Sequence, residues 1–345
     1  MPDSSELEAS RVRLAGLVFG SMSAQVIGWC ARMKLADAIG DRERSAGELA
    51  AEFRTPVSTT NRLLRAMAAL GVLAENSPGR YRLTTMGSLL RSDRAGSVYA
   101  LARMCTDPMM LQAWYRLDDS VRTGRTTFDD VFGVSFFAHL KANPELSALF
   151  NAAMGQGSQG VADALPSAYD FGRFDTVMDV GGGNGTVLAA VLHAHPGLRG
   201  VLFDTGEGSA EAASTLQRAG VAERCAVEAG DFFTAVPAGA QVQLLKSVLH
   251  DWNDEWAGTI LRNCRRALPR QGRLLVLEPV LPETVDPEKL PFSYLSDLNM
   301  LVNLGGLERT RSEFEALLRG SGFALTDVTP LPVPSGFCLI EATPA

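Results

Sequence analysis

The sequence predicts an α/β fold, with an open parallel sheet in the C-terminal half and a small helical domain before it. Three apolar runs, residues 174–178, 200–203 and 225–229, have the pattern of buried strands, and each is soon followed by an acidic residue or a glycine turn. Parallel strands that present polar groups at their carboxyl ends form the ligand-binding edge of an open α/β sheet. The first 91 residues instead combine helix-start signals with one hairpin pattern.

Residues 1–96 are expected to form a winged helix. Helices start near Ser45 and Ser58, and residues 79–84 have the pattern of a hairpin strand. The pattern leaves a DNA-binding regulator open as an alternative, with residues 61–70 as its recognition helix. The first 100 residues carry only a slight surplus of Lys and Arg over Asp and Glu, however, which is too small for a phosphate-binding face. Nucleic acid is therefore not expected as a partner.

A helical connector is expected over residues 97–170. It is rich in methionine and aromatic side chains, among them Trp114 and Met154. Such a run more often forms core than pocket.

The third domain, residues 171–345, contains the most informative stretch of the chain. Asp179 ends an apolar strand, and Gly181 and Gly183 follow at alternate positions. Glycines permit positive φ and bring backbone N–H groups close to a ligand, while the acid can accept hydrogen bonds from a cationic or hydroxylated group. A dinucleotide-binding turn would have a further glycine where this chain has Thr186. The turn therefore favours a nucleoside cofactor other than NAD.

Acidic residues after the next two strands complete the predicted nucleoside site. Asp204 lies about twenty residues beyond the glycine turn, where a carboxylate can hold ribose hydroxyls. Asp231 is placed to hold an adenine amino group, and Phe232 to cover the ring face. A solvated loop aspartate is the alternative for Asp204, but the preceding glycine turn favours the ribose.

The fourth predicted strand, residues 242–249, leads into His250. Histidine titrates nearest to neutral pH, so His250 at a strand end beside the predicted cofactor is the candidate general base, with a core histidine as the alternative. Lys246 lies in an apolar strand, where a charge is costly unless it is paired, which favours a cofactor or carboxylate partner. Asp251 either tunes His250 or caps the following helix.

These motifs resemble those of the class I S-adenosylmethionine (SAM) dependent small-molecule O-methyltransferases, which include plant caffeic acid and flavonoid enzymes and bacterial antibiotic-tailoring enzymes. The resemblance is carried by Asp-x-Gly-x-Gly-x-Gly at 179–185, Leu-Leu-Lys-Ser-Val-Leu-His-Asp-Trp at 244–252, Leu-Glu-Pro-Val-Leu-Pro at 277–282 and Gly-Gly-Leu-Glu-Arg-Thr at 305–310. It spans nearly the whole chain. It implies a Rossmann-like seven-stranded methyltransferase sheet, with residues 323–328 and 337–342 as its edge hairpin, behind a winged-helix dimerisation domain.

The resemblance also implies roles for individual residues. His250 would be the general base, flanked by Glu278 and Glu308, which would orient the imidazole and the substrate. The positions that match SAM-binding residues are Ser158, Asp179, Gly181, Gly183, Asp204, Asp231, Phe232 and Lys246. The acceptor cavity would include Trp114, Met154, Asp297, Met300 and Asn303. The chain departs from the family after Asp204, where residues 205–208 are Thr-Gly-Glu-Gly in place of Leu-Pro and an apolar residue.

The expected function is SAM-dependent methylation of a phenolic hydroxyl on a small aromatic secondary metabolite, with S-adenosylhomocysteine as the second product. A homodimer is expected because the apolar stretch 15–29 fits an intersubunit helix, with intrachain core as the alternative. C-methylation or a non-methylating reaction on the same fold stays open. No metal is expected, because His139, His193 and His195 precede His250 and no later histidine could complete a two-histidine site.

The length allows at least two domains with their own cores, and the composition is that of an ordinary soluble protein. The chain has 345 residues, 46% of them hydrophobic, and a net charge of -7. The N-terminus lacks a basic start and an apolar signal core, which favours the cytoplasm, and no membrane span is expected. The five cysteines have neither paired nor Cys-x-x-Cys spacing, so reduced thiols are expected.

Overall fold

The computed structural model describes residues 4–286, 292–332 and 335–345 of the chain. The first three residues of the predicted N-terminal segment lie outside this range. The chain divides into two compact units, residues up to Leu111 and Gln112–Ala345.

The first unit is built from short helices and a small sheet. Its helices are α1 (Ser4–Val18), α2 (Gly20–Arg32), α3 (Leu35–Ile39), α4 (Ala46–Phe53), α5 (Val57–Ala69), α6 (Thr85–Ser88) and α7 (Tyr99–Cys105), and its strands are β1 (Arg44–Ser45), β2 (Leu73–Ser77) and β3 (Arg80–Leu83). The strands pair antiparallel in the order β1-β3-β2. Helix α8 (Pro108–Trp114) runs from the first unit into the second.

Local capping and a small core explain the winged helix. The hydroxyl of Ser45 accepts the backbone N–H of Glu48 at 3.2 Å, while the Glu48 carboxylate accepts the N–H of Ser45 at 2.6 Å, which forms a capping box at the start of α4. Leu49 of α4, Leu64 of α5 and Tyr81 of β3 are fully buried in one hydrophobic core. The predicted winged helix and its hairpin are therefore confirmed.

Helix α1 leaves an apolar surface uncovered within the chain. None of its residues is buried, and Leu14 and Leu17 are 63% and 70% exposed. An exposed apolar patch of this kind marks an interaction surface. Within the described residues, no single helix is long and apolar enough to cross a membrane; α1 and α2 meet that criterion only when taken together, across a bend of 43°.

The second unit carries the large sheet. Its helices are α9 (Leu117–Thr123), α10 (Phe128–Phe132), α11 (Phe136–Ala142), α12 (Pro144–Ala168), α13 (Thr186–Ala194), α14 (Ala212–Arg218), α15 (Asp254–Ala267), α16 (Phe292–Asn303) and α17 (Arg311–Gly320). Its strands are β4 (Thr176–Val180), β5 (Arg199–Asp204), β6 (Cys225–Ala229), β7 (Val242–Lys246), β8 (Arg273–Glu278), β9 (Val280–Leu281), β10 (Arg309–Thr310), β11 (Phe323–Pro330) and β12 (Cys338–Pro344).

The large sheet has seven strands in the order β11-β12-β8-β7-β4-β5-β6. The five strands from β8 to β6 are parallel, and β11 and β12 form an antiparallel hairpin at one edge. Alternate residues face two separate cores: Val177 packs on the side of α12 and α13, and Met178 on the side of α15 and α17. The predicted sheet and edge hairpin are confirmed, and the carboxyl ends of β4 to β8 meet at one edge.

Candidate active site

The glycine turn between β4 and α13 is tight and open to a ligand. Gly181 and Gly183 have φ of 73° and 55°, which side chains rarely adopt. A Cβ at Gly181 would also lie 2.7 Å from Cγ2 of Val248. Phe232 lies on the same side, because its Cε1 is 3.6 Å from that Cβ position. The structure therefore brings the predicted ring-stacking residue to the glycine turn.

Asp179 is buried below this turn. Its side chain lies against Gly182, and its Oδ1 has no hydrogen-bond partner among the described residues. Burial raises the pKa of Asp179 to about 7, and the charge of Asp204 adds to the increase while Lys246 opposes it. A buried carboxylate oxygen without a donor is a group that a cationic or hydroxylated ligand can satisfy.

Asp204 lies at the end of β5, close to the turn. Its carboxylate accepts the backbone N–H of Gly183 at 2.8 Å and of Thr205 at 2.6 Å. Burial raises the pKa of this carboxyl group, and the two N–H donors oppose that increase. The Thr205 hydroxyl also donates to Oδ1 at 3.3 Å, so Oδ2 is the oxygen that keeps a free lone pair. The carboxylate is thus rigidly placed and can accept further hydrogen bonds.

The loop after Asp204, which departs from the family pattern, is tied to two helices. Glu207 forms an ion pair with Lys141 of α11 at 3.2 Å. Its carbonyl accepts from the amide of Asn151 in α12 at 3.3 Å. Both contacts are exposed, so each contributes little stability on its own.

The other predicted cofactor residues are Asp231, Ser158 and Lys246, and each of them contacts other residues of the chain. Asp231 is exposed, and its carboxylate accepts the N–H of Phe233 at 2.8 Å. Ser158 is buried in α12 and donates to the carbonyl of Met154 at 2.7 Å. Burial lowers the pKa of Lys246 to about 8, Asp179 opposes that shift, and the ammonium lies 5.0 Å from the ring centroid of Phe337.

The loop that carries His250 begins earlier than the sequence indicated. Strand β7 ends at Lys246, Ser247 takes a φ of 52°, and residues 249–251 form a turn of 3₁₀ helix. Glu278 at the end of β8 holds this turn, because its Oε1 accepts the N–H groups of Val248, Leu249 and His250 at 3.1, 2.7 and 3.2 Å. The structure therefore places Glu278 on the backbone of the loop.

Glycine is required on the other side of this loop. A Cβ at Gly306 would collide with the carbonyl oxygen of His250 and with the backbone of Asp251 and Trp252. The adjacent Leu307 donates its N–H to the same His250 carbonyl at 2.9 Å. This close approach, together with the pairing of β9 and β10, brings Glu308 to the imidazole.

The imidazole of His250 lies between two carboxylates. Its Nδ1 is 3.1 Å from Oε1 of Glu308, and its Nε2 is 3.5 Å from Oδ1 of Asp251. Burial lowers the pKa of His250, but the carboxylates of Asp251, Glu308 and Glu278 outweigh it and raise that pKa to about 9. Burial raises the pKa of Asp251 to about 7. Asn253 caps α15, so Asp251 does not serve as that cap.

Arg309 braces the loop, a role that its position in the sequence did not indicate. Its side chain is fully buried and donates to the carbonyls of Leu249 and Trp252 at 3.0 and 2.9 Å and to that of Leu307 at 3.4 Å. It also pairs with Asp254 at 2.8 Å. One guanidinium therefore joins the segments that carry His250 and Glu308.

The predicted acceptor residues fall on α8, α12 and α16. The indole N–H of Trp114 donates to Asn299 at 2.9 Å, and the amide of buried Asn303 donates to the same oxygen at 2.9 Å. Asp297 accepts the backbone N–H of Glu308 at 2.8 Å, so it helps to hold the segment that carries Glu308. Met300 is buried, and Met154 is 36% exposed.

Two parts of the chain match family models. Residues 114–324 match an O-methyltransferase domain, and residues 15–93 match an O-methyltransferase dimerisation domain. The chain belongs to the O-methyltransferase family. This confirms the predicted family, and the chain is a SAM-dependent O-methyltransferase with a dimerisation domain.

Known relatives resemble this methyltransferase along nearly its whole length. It is 47% identical over 334 residues to O-demethylpuromycin-O-methyltransferase of Streptomyces alboniger, covering 96% of this chain and 89% of that protein. The crystal structure of LaPhzM matches with a TM-score of 0.91 and 40% identity, over 97% of this chain and 99% of that one. The neocarzinostatin-biosynthesis O-methyltransferase NcsB1, in complex with SAM and 2-hydroxy-5-methyl naphthoic acid, matches with a TM-score of 0.80 and 31% identity, over 94% and 96% of the two chains.

Proposed function

We propose that this methyltransferase acts on a phenolic hydroxyl of a small aromatic secondary metabolite, with His250 as the general base. The observation that carries the proposal is the pairing of Nδ1 with Glu308, because a neutral imidazole that donates from Nδ1 has a free lone pair at Nε2. Relatives named for puromycin and naphthoic acid chemistry support an aromatic acceptor.

The pKa of His250 is close to that of a phenol. A phenol has a pKa of about 10, and the pKa of His250 is raised to about 9, so proton transfer between them is nearly balanced. His250 takes the hydroxyl proton at Nε2, and Glu308 stabilises the imidazolium that results. When bound, SAM supplies an electrophilic methyl group for the resulting oxygen nucleophile. Holding the oxygen in line would contribute much of the acceleration.

SAM would bind beside the glycine turn. The Oδ1 of Asp179, unpartnered among the described residues, and the positive-φ backbone at Gly181 and Gly183 suit its methionine part. Asp204 would accept the ribose hydroxyls, and Phe232 would cover the adenine. Asp231, Lys246 and Ser158 complete the proposed site. The acceptor would lie against Trp114, Met154, Met300 and Asn303.

The proposed assembly is a homodimer formed through the dimerisation domain. The apolar residues of α1 that stay exposed within one chain support this assembly. Nucleic acid is not proposed as a partner. Location in the cytoplasm stays a prediction from sequence.

A screen of phenolic metabolites with His250→Ala tests the function. The wild type should transfer a methyl group from SAM to at least one phenol, as detected by mass spectrometry. The variant should lose turnover while its SAM affinity stays within a few fold. His193→Ala is the control, because His193 is exposed on α13. Methylation at carbon, or full activity of His250→Ala on a phenol at neutral pH, would contradict the proposal.

A further inference from the structure

Ser296 contacts the carboxylate that holds the base. Its hydroxyl donates to Oε1 of Glu308 at 2.7 Å, the same oxygen that lies 3.1 Å from Nδ1 of His250. The Glu308 side chain is 0% exposed, and its Oε2 has no partner within the described part of the chain. Apart from His250, Ser296 is thus the side chain in the described residues that donates a hydrogen bond to this carboxylate.

Two consecutive residues of α16 fix Glu308. Ser296 holds its side chain, and Asp297 accepts its backbone N–H at 2.8 Å. A buried carboxylate with one free oxygen can rotate unless a donor holds it. Ser296 opposes that rotation, because its hydroxyl donates to the same oxygen that faces His250.

Two carboxylates compete for the ring proton of neutral His250. A neutral imidazole has one N–H, and carboxylates lie on both sides: Glu308 at Nδ1, 3.1 Å away, and Asp251 at Nε2, 3.5 Å away. If the proton moves to Nε2, the ring donates to Asp251 and can no longer accept a proton from the acceptor. Glu278, Lys246 and Arg309 also carry charge nearby, but none of them has a hydrogen bond to the imidazole ring within the described residues.

We propose that Ser296 is a positioning residue that keeps the single ring proton of neutral His250 on Nδ1 by holding Glu308 in place against the competing carboxylate of Asp251. The proposal rests on the proposed role of His250 as the base. It adds a selection of tautomer to that role. The hydroxyl acts through Glu308.

Ser296→Ala tests this with a spectroscopic readout that is independent of turnover. The chain has 4 histidines, so the ¹⁵N resonances of His250 can be assigned by their loss in His250→Gln. In the wild type at high pH the protonated nitrogen should be Nδ1. In Ser296→Ala, the fraction protonated at Nε2 should rise, kcat should fall about tenfold, and SAM affinity should stay within twofold.

Two further variants control the experiment. Ser296→Thr retains a hydroxyl and should recover most of the Nδ1–H population. Ser312→Ala removes a similar hydroxyl, one that donates to Glu283 at 3.1 Å, and should leave both tautomer and kcat unchanged. Unchanged resonances of the other three histidines in Ser296→Ala would show that its fold is intact.

The outcomes separate the two proposals. A wild-type tautomer population in Ser296→Ala would overturn the role of Ser296, whether or not turnover falls. Full turnover by His250→Ala would instead overturn the base assignment, while the tautomer measurement would still report on Ser296.

Discussion

Replacing Glu308 by glutamine should weaken the base without removing it. The substitution keeps the volume of a fully buried side chain but removes the charge that lies 3.1 Å from Nδ1 of His250. A hydrogen bond to a charged group contributes about 1.5–3 kcal/mol. Since about 1.4 kcal/mol corresponds to a factor of ten in rate, kcat should fall roughly ten- to hundredfold.

The pH profile gives Glu308→Gln a distinct signature. His250 acts as a base only when neutral, and its pKa is raised to about 9, so the wild-type rate should rise with pH through an inflection above the ordinary histidine value of about 6.5. Loss of the Glu308 charge removes one cause of that increase. The inflection should therefore move to lower pH, while the plateau at high pH becomes lower.

The assay is initial rate against pH with saturating SAM and a fixed phenolic acceptor, together with calorimetric SAM affinity. Glu283→Gln is the matched control. The Glu283 carboxylate also accepts a hydrogen bond from a serine hydroxyl, but its partner is Ser312 and not Ser296. A plateau within twofold of wild type and an unmoved inflection would refute the role of Glu308.

Three further predictions follow from other parts of the structure. Asp204→Ala should weaken calorimetric SAM binding by about 1–3 kcal/mol because a rigid acceptor is lost, and unchanged affinity would place the ribose elsewhere. Dialysis against a chelator should leave activity intact; His250, Glu278 and Glu308 do place ligand atoms within 4.8 Å of one another, so activity that is lost and then restored by a divalent ion would contradict the metal-free mechanism. Removal of residues 1–18 should shift the protein from dimer to monomer or aggregate in light scattering, because α1 buries none of its residues within the chain, and a fully active dimer would contradict this.

The parts of the fold that local sequence determines could be predicted. The glycine turn, the helix start at Ser45 and the alternation of strands with helices depend on residues close together in the chain. The edge hairpin of β11 and β12 was implied by the resemblance to the family. The position of His250 beside the sheet edge followed from the same strand pattern.

The contacts that support His250 could not be derived from local sequence, because they join distant segments; Glu278 and Glu308 were named only through the resemblance to the family. Arg309 reaches the carbonyl of Leu249, which is 60 positions away, and Glu278 reaches the N–H of His250 across 28 positions. In the sequence, Arg309 has the pattern of a charged residue at a helix start. Ser296 gives no signal, because a serine in an amphipathic segment carries no information about its partner. The predicted strand over residues 242–249 was also too long, because β7 ends at Lys246 and Ser247 has a φ of 52°.

The close approach at Gly306 has a consequence for genetic variation. Every group that a side chain there would first meet is backbone: the His250 carbonyl, the Asp251 carbonyl carbon and the Trp252 nitrogen. A clash with a side chain can be relieved by a smaller residue at a second position, but a clash with backbone has no such suppressor. A selection for revertants of Gly306→Ala should therefore return glycine itself.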